Sequence, residues 1–317
     1  MAVLPEAAEV ERARELLRMH LPVTRLVPAA RLPRVGGSLW LKLESELPTG
    51  SFKVRGALYA LACALRRGSV AGVVTASTGN QGAAVAYAAR VLGVRAAIFL
   101  PEHPNAVKRA RIIEHNATVV EYGADITAAR KAAAAFAAAN GAYLLDDATD
   151  ADLPAGPATI AVEVLEQLPR TRVILVPIGD TALIRGIASA AKRAAPDIRI
   201  VGVQAAAAPA YANAWRTGIP QPTADCNTIA DGLATRVPDP ANVAAIRNVV
   251  DDVVLVTDRQ MLDAMRDLLV FEQVYAEPAG AAAVAAAMQA AAATPETVAV
   301  VTGCNASAES LAALLER

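Results

Sequence analysis

The sequence predicts an α/β fold built on parallel sheets, and three observations lead to this prediction. Short β-branched runs recur along the chain, and alanine-rich helical runs of roughly 10 to 15 residues separate them. Strands that alternate with helices in this way imply a parallel sheet covered on both faces. The 317 residues are 55% hydrophobic and 19% charged, with a formal net charge of -1, which describes a globular protein with a sizeable core.

The strands and the helix ends can be assigned in chain order. Glycines mark C-terminal helix ends at Gly68, Gly93, Gly141 and Gly218, and Thr127 and Asp258 suit N-caps. The runs interpreted as strands are Leu39 to Leu43, Gly72 to Ala76, Ala96 to Leu100, Thr118 to Tyr122, Val173 to Pro177, Ile198 to Gln204, Val253 to Val256 and Thr297 to Thr302.

Composition also limits the kind of partner. A nearly neutral chain does not suit nucleic-acid binding, so we expect a small-molecule ligand. The N-terminal residues lack a basic segment followed by an apolar stretch, and no run reaches the ~20 apolar residues of a membrane span. Three widely spaced cysteines form neither a disulfide framework nor a metal-binding pattern, which favours a reducing compartment and a cytoplasmic location.

Parallel sheets bind ligands outside the carboxyl ends of their strands, so the residues that follow each strand are the first candidates for a site. Lys53 lies in such a loop, ELPTGSFKVRGA, where it begins a helix. A partly desolvated lysine at this junction can act as an amine nucleophile. A solvated surface lysine is the alternative when Lys53 is considered alone.

Two further loops suit anions, and one strand end suits a ring nitrogen. STGNQG at 77–82 begins a helix whose free N–H groups can bind a carboxylate, although an ordinary capped turn would look the same. Gly179, the amides of residues 180–182 and the Thr181 hydroxyl could surround a phosphate, with Asp180 as a source of repulsion. Thr302, after the last strand, can donate a hydrogen bond to a neutral pyridine nitrogen.

Taken together, these motifs resemble the fold-type II pyridoxal-phosphate (PLP) enzymes of the tryptophan synthase beta superfamily, and within them the serine/threonine dehydratase group. The resemblance covers nearly the whole chain and includes SFKVRGA, STGNQG, LPEHPNAVKRARIIEHNATVVEYG, TIAVEVLEQLP, TIADGLA, AEPAGAA and TGCN in the same order and spacing. It implies two parallel-sheet α/β domains with the cofactor in the cleft between them. Residues 1–40 and 143–317 would form the larger domain, and residues 41–142 a smaller one that closes over the substrate.

The resemblance also implies residue roles. Lys53 would form the Schiff base with PLP, and Thr78 would be a second catalytic candidate in the carboxylate loop. The remaining residues implied to bind cofactor are Phe52, Asn80, Gly179, Asp180, Thr181, Ala182, Leu183, Glu277 and Thr302. Those implied to bind substrate are Ser77, Thr78, Gly79, Asn80, Gln81 and Gly232.

The chain departs from the dehydratase pattern at three places. The phosphate loop reads Gly-Asp-Thr-Ala at 179–182 where the dehydratases usually have a run of glycines, and Gln81 replaces their histidine. Gln204, Ala208 and Ala210 stand where family members with a cation site carry acids, so we expect no metal. A homodimer is the family expectation.

The reaction that this resemblance implies is α,β-elimination of a 3-hydroxy amino acid such as serine or threonine to a 2-oxo acid and ammonia. Lys53 would remove the Cα proton. The STGN string is similar to threonine synthases, so β- or γ-replacement, as in those enzymes or in cysteine synthases, is an alternative. Amino-acid racemisation is another, with Thr78 opposite Lys53. A binding protein without catalysis is the interpretation from a different class.

Overall fold

The computed structural model describes residues 4–33, 37–68, 70–77, 79–104, 106–289, 294–306, 312 and 314. The helices are α1 (Ala7–Arg18), α2 (Lys53–Arg67), α3 (Asn80–Leu92), α4 (Ala106–Glu114), α5 (Ile126–Asn140), α6 (Ala155–Gln167), α7 (Ala182–Ala194), α8 (Ala210–Thr217), α9 (Pro240–Val249), α10 (Asp258–Asp267) and α11 (Pro278–Gln289). The strands are β1 (Leu26–Pro28), β2 (Gly37–Leu43), β3 (Val73–Ala76), β4 (Ala96–Leu100), β5 (Thr118–Glu121), β6 (Tyr143–Leu144), β7 (Val173–Pro177), β8 (Arg199–Ala205), β9 (Asp252–Val256) and β10 (Thr294–Val301).

The strands form two sheets. A six-stranded sheet has the order β1-β2-β10-β7-β8-β9, and a four-stranded sheet has the order β5-β4-β3-β6. The strands of both sheets pair in parallel, apart from β1, which pairs with β2 antiparallel at an edge. The predicted α/β class with two parallel sheets is therefore confirmed.

Both sheets are covered on their two faces, as the continuous apolar strands require. In β7, Ile174 and Val176 pack with residues of α6 and α7, whereas Leu175 points to the other face and packs with residues of α10 and α11. The smaller sheet has α2 and α3 on one face and α5 on the other. Each strand therefore has a fixed position between buried layers, which determines where its carboxyl end lies.

All the predicted strands are present, and the four glycines lie at C-terminal helix ends. Both predicted N-caps are wrong. The side chain of Asp125 accepts a hydrogen bond from the Ala128 amide, and Thr257 accepts one from the Gln260 amide. These two residues cap α5 and α10, so Thr127 and Asp258 lie within the first turns that follow them.

The change from one sheet to the other occurs close to the predicted domain boundaries. Strand β2 lies in the six-stranded sheet and ends at Leu43, while β6, at Tyr143–Leu144, lies in the four-stranded sheet. The predicted boundaries stand at residues 41 and 142. The assignment of residues 41–142 as a mobile domain stays a prediction. No helix within the described ranges is long and apolar enough to cross a membrane.

Candidate active site

Lys53 begins α2, and hydrogen bonds fix the loop in front of it. The Phe52 amide donates to the Thr302 carbonyl oxygen (3.0 Å), and the Cys304 amide donates to the Gly50 carbonyl oxygen (2.9 Å). Two loops that are far apart in sequence, at residues 50–52 and 302–304, therefore form one wall. Lys53 and Thr302, which were predicted separately, lie on this wall.

All of the predicted cofactor residues line one cavity that opens to solvent. The predicted residues that line it are Phe52, Lys53, Asn80, Gly179, Asp180, Thr181, Ala182, Leu183, Gly232, Glu277 and Thr302. Pro177, Leu233 and Ala279 complete the lining. The carboxyl ends of β2, β3, β7 and β10 thus meet at the cavity, as a parallel sheet requires.

The loop at residues 179–183 has the geometry of an anion cradle. Thr181 has a left-handed backbone (φ 71°), and α7 begins at the next residue, so the N–H groups of its first turn have no acceptor within the helix. Gly179 is required by a close approach, since a Cβ there would lie 2.3 Å from the Gly232 carbonyl oxygen. Residues 180–182 are Asp-Thr-Ala where the dehydratases usually have glycines, but the left-handed turn at Thr181 and the close approach at Gly179 are present.

Asn80 is fixed from two sides. Its side-chain Nδ2 donates to Glu277 Oε1 (2.6 Å), and its Oδ1 accepts from Asn305 Nδ2 (2.7 Å). Glu277 therefore orients Asn80 at the cavity wall. Asn305 was not among the predicted site residues, although it belongs to the TGCN string on which the resemblance partly rests.

The predicted carboxylate loop is only partly at the cavity. Among its described residues Asn80 alone lines the cavity, Gly79 donates its amide to Ser77 Oγ (3.2 Å), and Thr78 lies outside the described residues. Gln81 is 4% exposed, and within the described part of the chain neither its amide nitrogen nor its carbonyl oxygen has a hydrogen-bond partner. An unpartnered buried amide is costly, and a ligand group would supply a partner.

An acidic residue that the sequence analysis missed contacts the lysine. Asp147 Oδ2 lies 2.7 Å from Lys53 Nζ. Asp147 follows β6, and a strand of two residues is too short to recognise from periodicity. Had β6 been recognised, the inspection of residues after each strand would have found Asp147.

A buried network of charges anchors the start of α2. Arg55 Nη1 lies 2.6 Å from Glu163 Oε1 on α6, and Arg55 Nε lies 2.7 Å from Glu44 Oε2. Lys42 Nζ lies 2.6 Å from Glu163 Oε2. Each of these four side chains is at most 9% exposed. Arg55 follows Lys53 by two residues, so this network fixes the helix end that carries the amine.

The fold and the site together define an α/β protein that can bind a small anionic ligand within reach of a lysine amine. A family model described as pyridoxal-phosphate dependent enzyme matches residues 17–303. An L-threonine ammonia-lyase of Geobacter sulfurreducens is 34% identical over 311 residues, which are 97% of this chain and 77% of that protein.

Solved structures give the same result. A threonine deaminase from T.th. matches with a TM-score of 0.88 and 30% identity, over 96% of this chain and 99% of the other. The maize serine racemase structure matches with a TM-score of 0.90 and 27% identity, over 99% of this chain and 98% of the other. The chain belongs to the family of pyridoxal-phosphate dependent enzymes. The resemblance and the cofactor predicted from the sequence are thereby confirmed.

The cavity fits PLP, which carries an aldehyde, a phosphate and a pyridine nitrogen. An amine, a helix N-terminus with free N–H groups and a buried hydroxyl line it, at Lys53, residues 181–183 and Thr302. Phe52 supplies an aromatic side chain on the same wall. The Thr302 hydroxyl lies 3.4 Å from the Ala279 carbonyl oxygen, so a better acceptor such as a ring nitrogen can replace this long contact.

Asp180 is the least expected component of an anion cradle. Its burial, followed by repulsion from Asp147, raises the pKa of Asp180 to about 6, and its Oδ1 accepts a hydrogen bond from Thr235 (3.2 Å). A phosphate dianion nearby would raise this pKa further. The protonated acid is therefore the form compatible with phosphate, and the charged form opposes it.

We expect the Asp180→Asn variant to bind pyridoxine 5'-phosphate, which lacks the aldehyde, more tightly than wild type at high pH only. The raised pKa means that the charge penalty is absent below about pH 6 and grows above it, until the pH passes the still higher pKa that Asp180 has beside bound phosphate. The dissociation constant of the wild type divided by that of the variant should be near one at about pH 5. It should grow to about tenfold at pH 8, the equivalent of one pKa unit. Calorimetry across this range measures it. Asp225→Asn, an exposed residue outside the cavity lining, is the control, and a ratio independent of pH would contradict the prediction.

Proposed function

We propose that this protein is a PLP-dependent ammonia-lyase that removes water from a 3-hydroxy amino acid, serine or threonine, and releases a 2-oxo acid and ammonia. One observation carries the proposal: Lys53 and the anion cradle line the same cavity in a chain 34% identical to an L-threonine ammonia-lyase. The similarity to a threonine deaminase structure supports the same reaction.

The chain's own residues have the following roles in this proposal. Lys53 binds the cofactor covalently and, once released, removes the Cα proton of the substrate. The N–H groups at residues 179–183 bind the phosphate, Thr302 contacts the ring nitrogen, Asn80 contacts the phenolic oxygen, and Phe52 packs beside the ring. When bound, PLP supplies an electron sink for the negative charge left at Cα.

The substrate is bound by the loop after β3. Ser77, Thr78, Gly79 and Gln81 are proposed to surround its carboxylate at the N-terminus of α3, and Gly232 is proposed to lie beside the substrate. The unpartnered amide of Gln81 supports this role, because a carboxylate oxygen accepts the hydrogen bond that Gln81 Nε2 otherwise lacks. Movement of residues 41–142 towards the larger unit would exclude water from the reacting carbon.

The experiment is a substrate screen with purified protein and PLP. We expect 2-oxo acid and ammonia in equal amounts from L-serine or L-threonine, with 3-hydroxyaspartate and phenylserine as further candidates. The reactions are run in D2O and followed by proton NMR. Exchange of the α-proton without elimination would favour racemisation, for which the similarity to maize serine racemase is the supporting observation. No oxo acid from any of the four would contradict the proposal.

A cytoplasmic homodimer belongs to the same proposal. The described cysteines Cys63, Cys226 and Cys304 are all unpaired, as a reducing compartment favours. Light scattering of the protein with PLP measures the assembly.

A further inference from the structure

Asp147 and Lys53 form an ion pair inside the candidate active site. Lys53 Nζ donates a hydrogen bond to Asp147 Oδ2 at 2.7 Å, and the two side chains are 18% and 16% exposed. The residues are 94 positions apart in sequence, since Lys53 begins α2 and Asp147 follows β6 of the four-stranded sheet. The contact therefore holds the amine against the loop that follows β6.

The surroundings determine which protonation state this pair adopts. Burial lowers the pKa of Lys53, but attraction first to Asp147 and then to Asp180, together with the hydrogen bond to Asp147, outweighs burial and raises it. Arg130, an exposed residue of α5, opposes this effect. Burial raises the pKa of Asp147, and the charge of Lys53 outweighs burial and lowers it. The pair is thus an ammonium and a carboxylate.

In the proposed reaction, removal of the Cα proton converts Lys53 from an amine to an ammonium, and Asp147 can act on this step. When Lys53 removes the substrate proton, the Cα–H bond breaks, its electron pair stays with carbon, and the proton forms a new N–H bond at Nζ. A carboxylate within hydrogen-bonding distance of Nζ stabilises this product of the transfer. Asp147 stays a carboxylate throughout.

We propose that Asp147 is a positioning residue that orients the Nζ atom of Lys53 and stabilises the proton that Lys53 takes from Cα. The proposal rests on the proposed function in one respect: that the proton which Lys53 takes is the Cα proton of the substrate. The same carboxylate has a cost, because it keeps a larger fraction of the free lysine protonated at neutral pH. Substitution of Asp147 should therefore change the pH dependence, which a purely structural role would leave unchanged.

The first test measures the ionisation of Lys53 without any catalysis. The chain has five lysines, at positions 42, 53, 108, 131 and 192, so lysine labelled with carbon-13 at Cε gives signals that single substitutions can assign. In the full chain freed of cofactor, Lys53 should titrate above the ordinary lysine range. The midpoint should fall by about one pH unit or more in Asp147→Asn, the change expected for loss of an opposite charge at this distance.

Two variants make this test specific. Asp147→Glu keeps the negative charge and should keep most of the wild-type midpoint. Asp251→Asn removes the carboxylate of another 2.7 Å lysine-aspartate pair, with Lys192, and should leave the Lys53 signal unchanged. A wild-type Lys53 that titrates below the ordinary range would overturn the proposal, and this outcome needs no variant to fold.

The second test uses the enzyme with PLP. In Asp147→Asn the low-pH limb of the kcat profile should move to lower pH, while the plateau falls about tenfold because the ammonium loses the equivalent of about one pKa unit of stabilisation. Asp147→Glu should restore the wild-type limb. Identical limbs in wild type and Asp147→Asn would overturn the role of Asp147. Absence of elimination in the wild type would overturn the proposed function instead, and the lysine titration would still decide the ion pair.

Discussion

Lys53→Ala should lower the rate of 2-oxo acid release by about 10² to 10⁴-fold, because it removes the group that is expected to take the Cα proton. It also removes the amine that lines the cavity with the anion cradle. The chain therefore loses covalent attachment of the cofactor as well as the base. The non-covalent contacts at residues 179–183 stay, so PLP should still bind, with lower affinity.

Two measurements separate these effects. Borohydride reduction of the PLP-loaded wild type, followed by peptide mass analysis, should place the label on the peptide that contains Lys53, and Lys53→Ala should carry no label there. Lys131→Ala is the matched control, since this lysine is exposed on α5 and its loss should leave the rate unchanged. A Lys53→Ala enzyme within tenfold of wild type would show that another group performs the proton transfer.

Glu163→Ala should lower the free energy of unfolding by about 3–5 kcal/mol, the usual effect of breaking a buried ion pair from one side. The substitution leaves Lys42 and Arg55 buried, and among the described ion pairs of this network only that with Glu44 then remains. Burial lowers the pKa of Lys42, so this lysine should lose its proton more readily in the variant. That loss would recover part of the stability.

The control for this prediction lies three residues along α6. Glu166 forms its ion pairs with Arg14 and Arg18 at the surface and is 50% exposed, so Glu166→Ala should cost at most about 1 kcal/mol. Urea unfolding of both variants, followed by circular dichroism, gives the comparison. Similar midpoints for Glu163→Ala and wild type would mean that the network does not stabilise the anchor of α2.

Much of the fold could be predicted from the sequence because its signals are local. The apolar run of β7 and the glycine at position 93 each act within a few residues, and both predictions are confirmed. The N-caps failed because several polar residues near a helix start can each accept the capping hydrogen bond. Strand β1 has three residues and β6 has two, which is too short for a sequence pattern, so they are recognised only from their pairing with a neighbouring strand.

The sequence by itself determined that a lysine, an anion-binding loop and a terminal threonine each follow a strand, since residue type and order are enough for that. Only the tertiary structure decided that Lys53 contacts Asp147 and that Asp180 has a raised pKa. The reason is physical: ionisation depends on burial and on charges within a few ångströms, and folding brings together groups that are far apart in sequence. The sequence was enough to predict the amine of Lys53, but not the buried charges that determine its pKa.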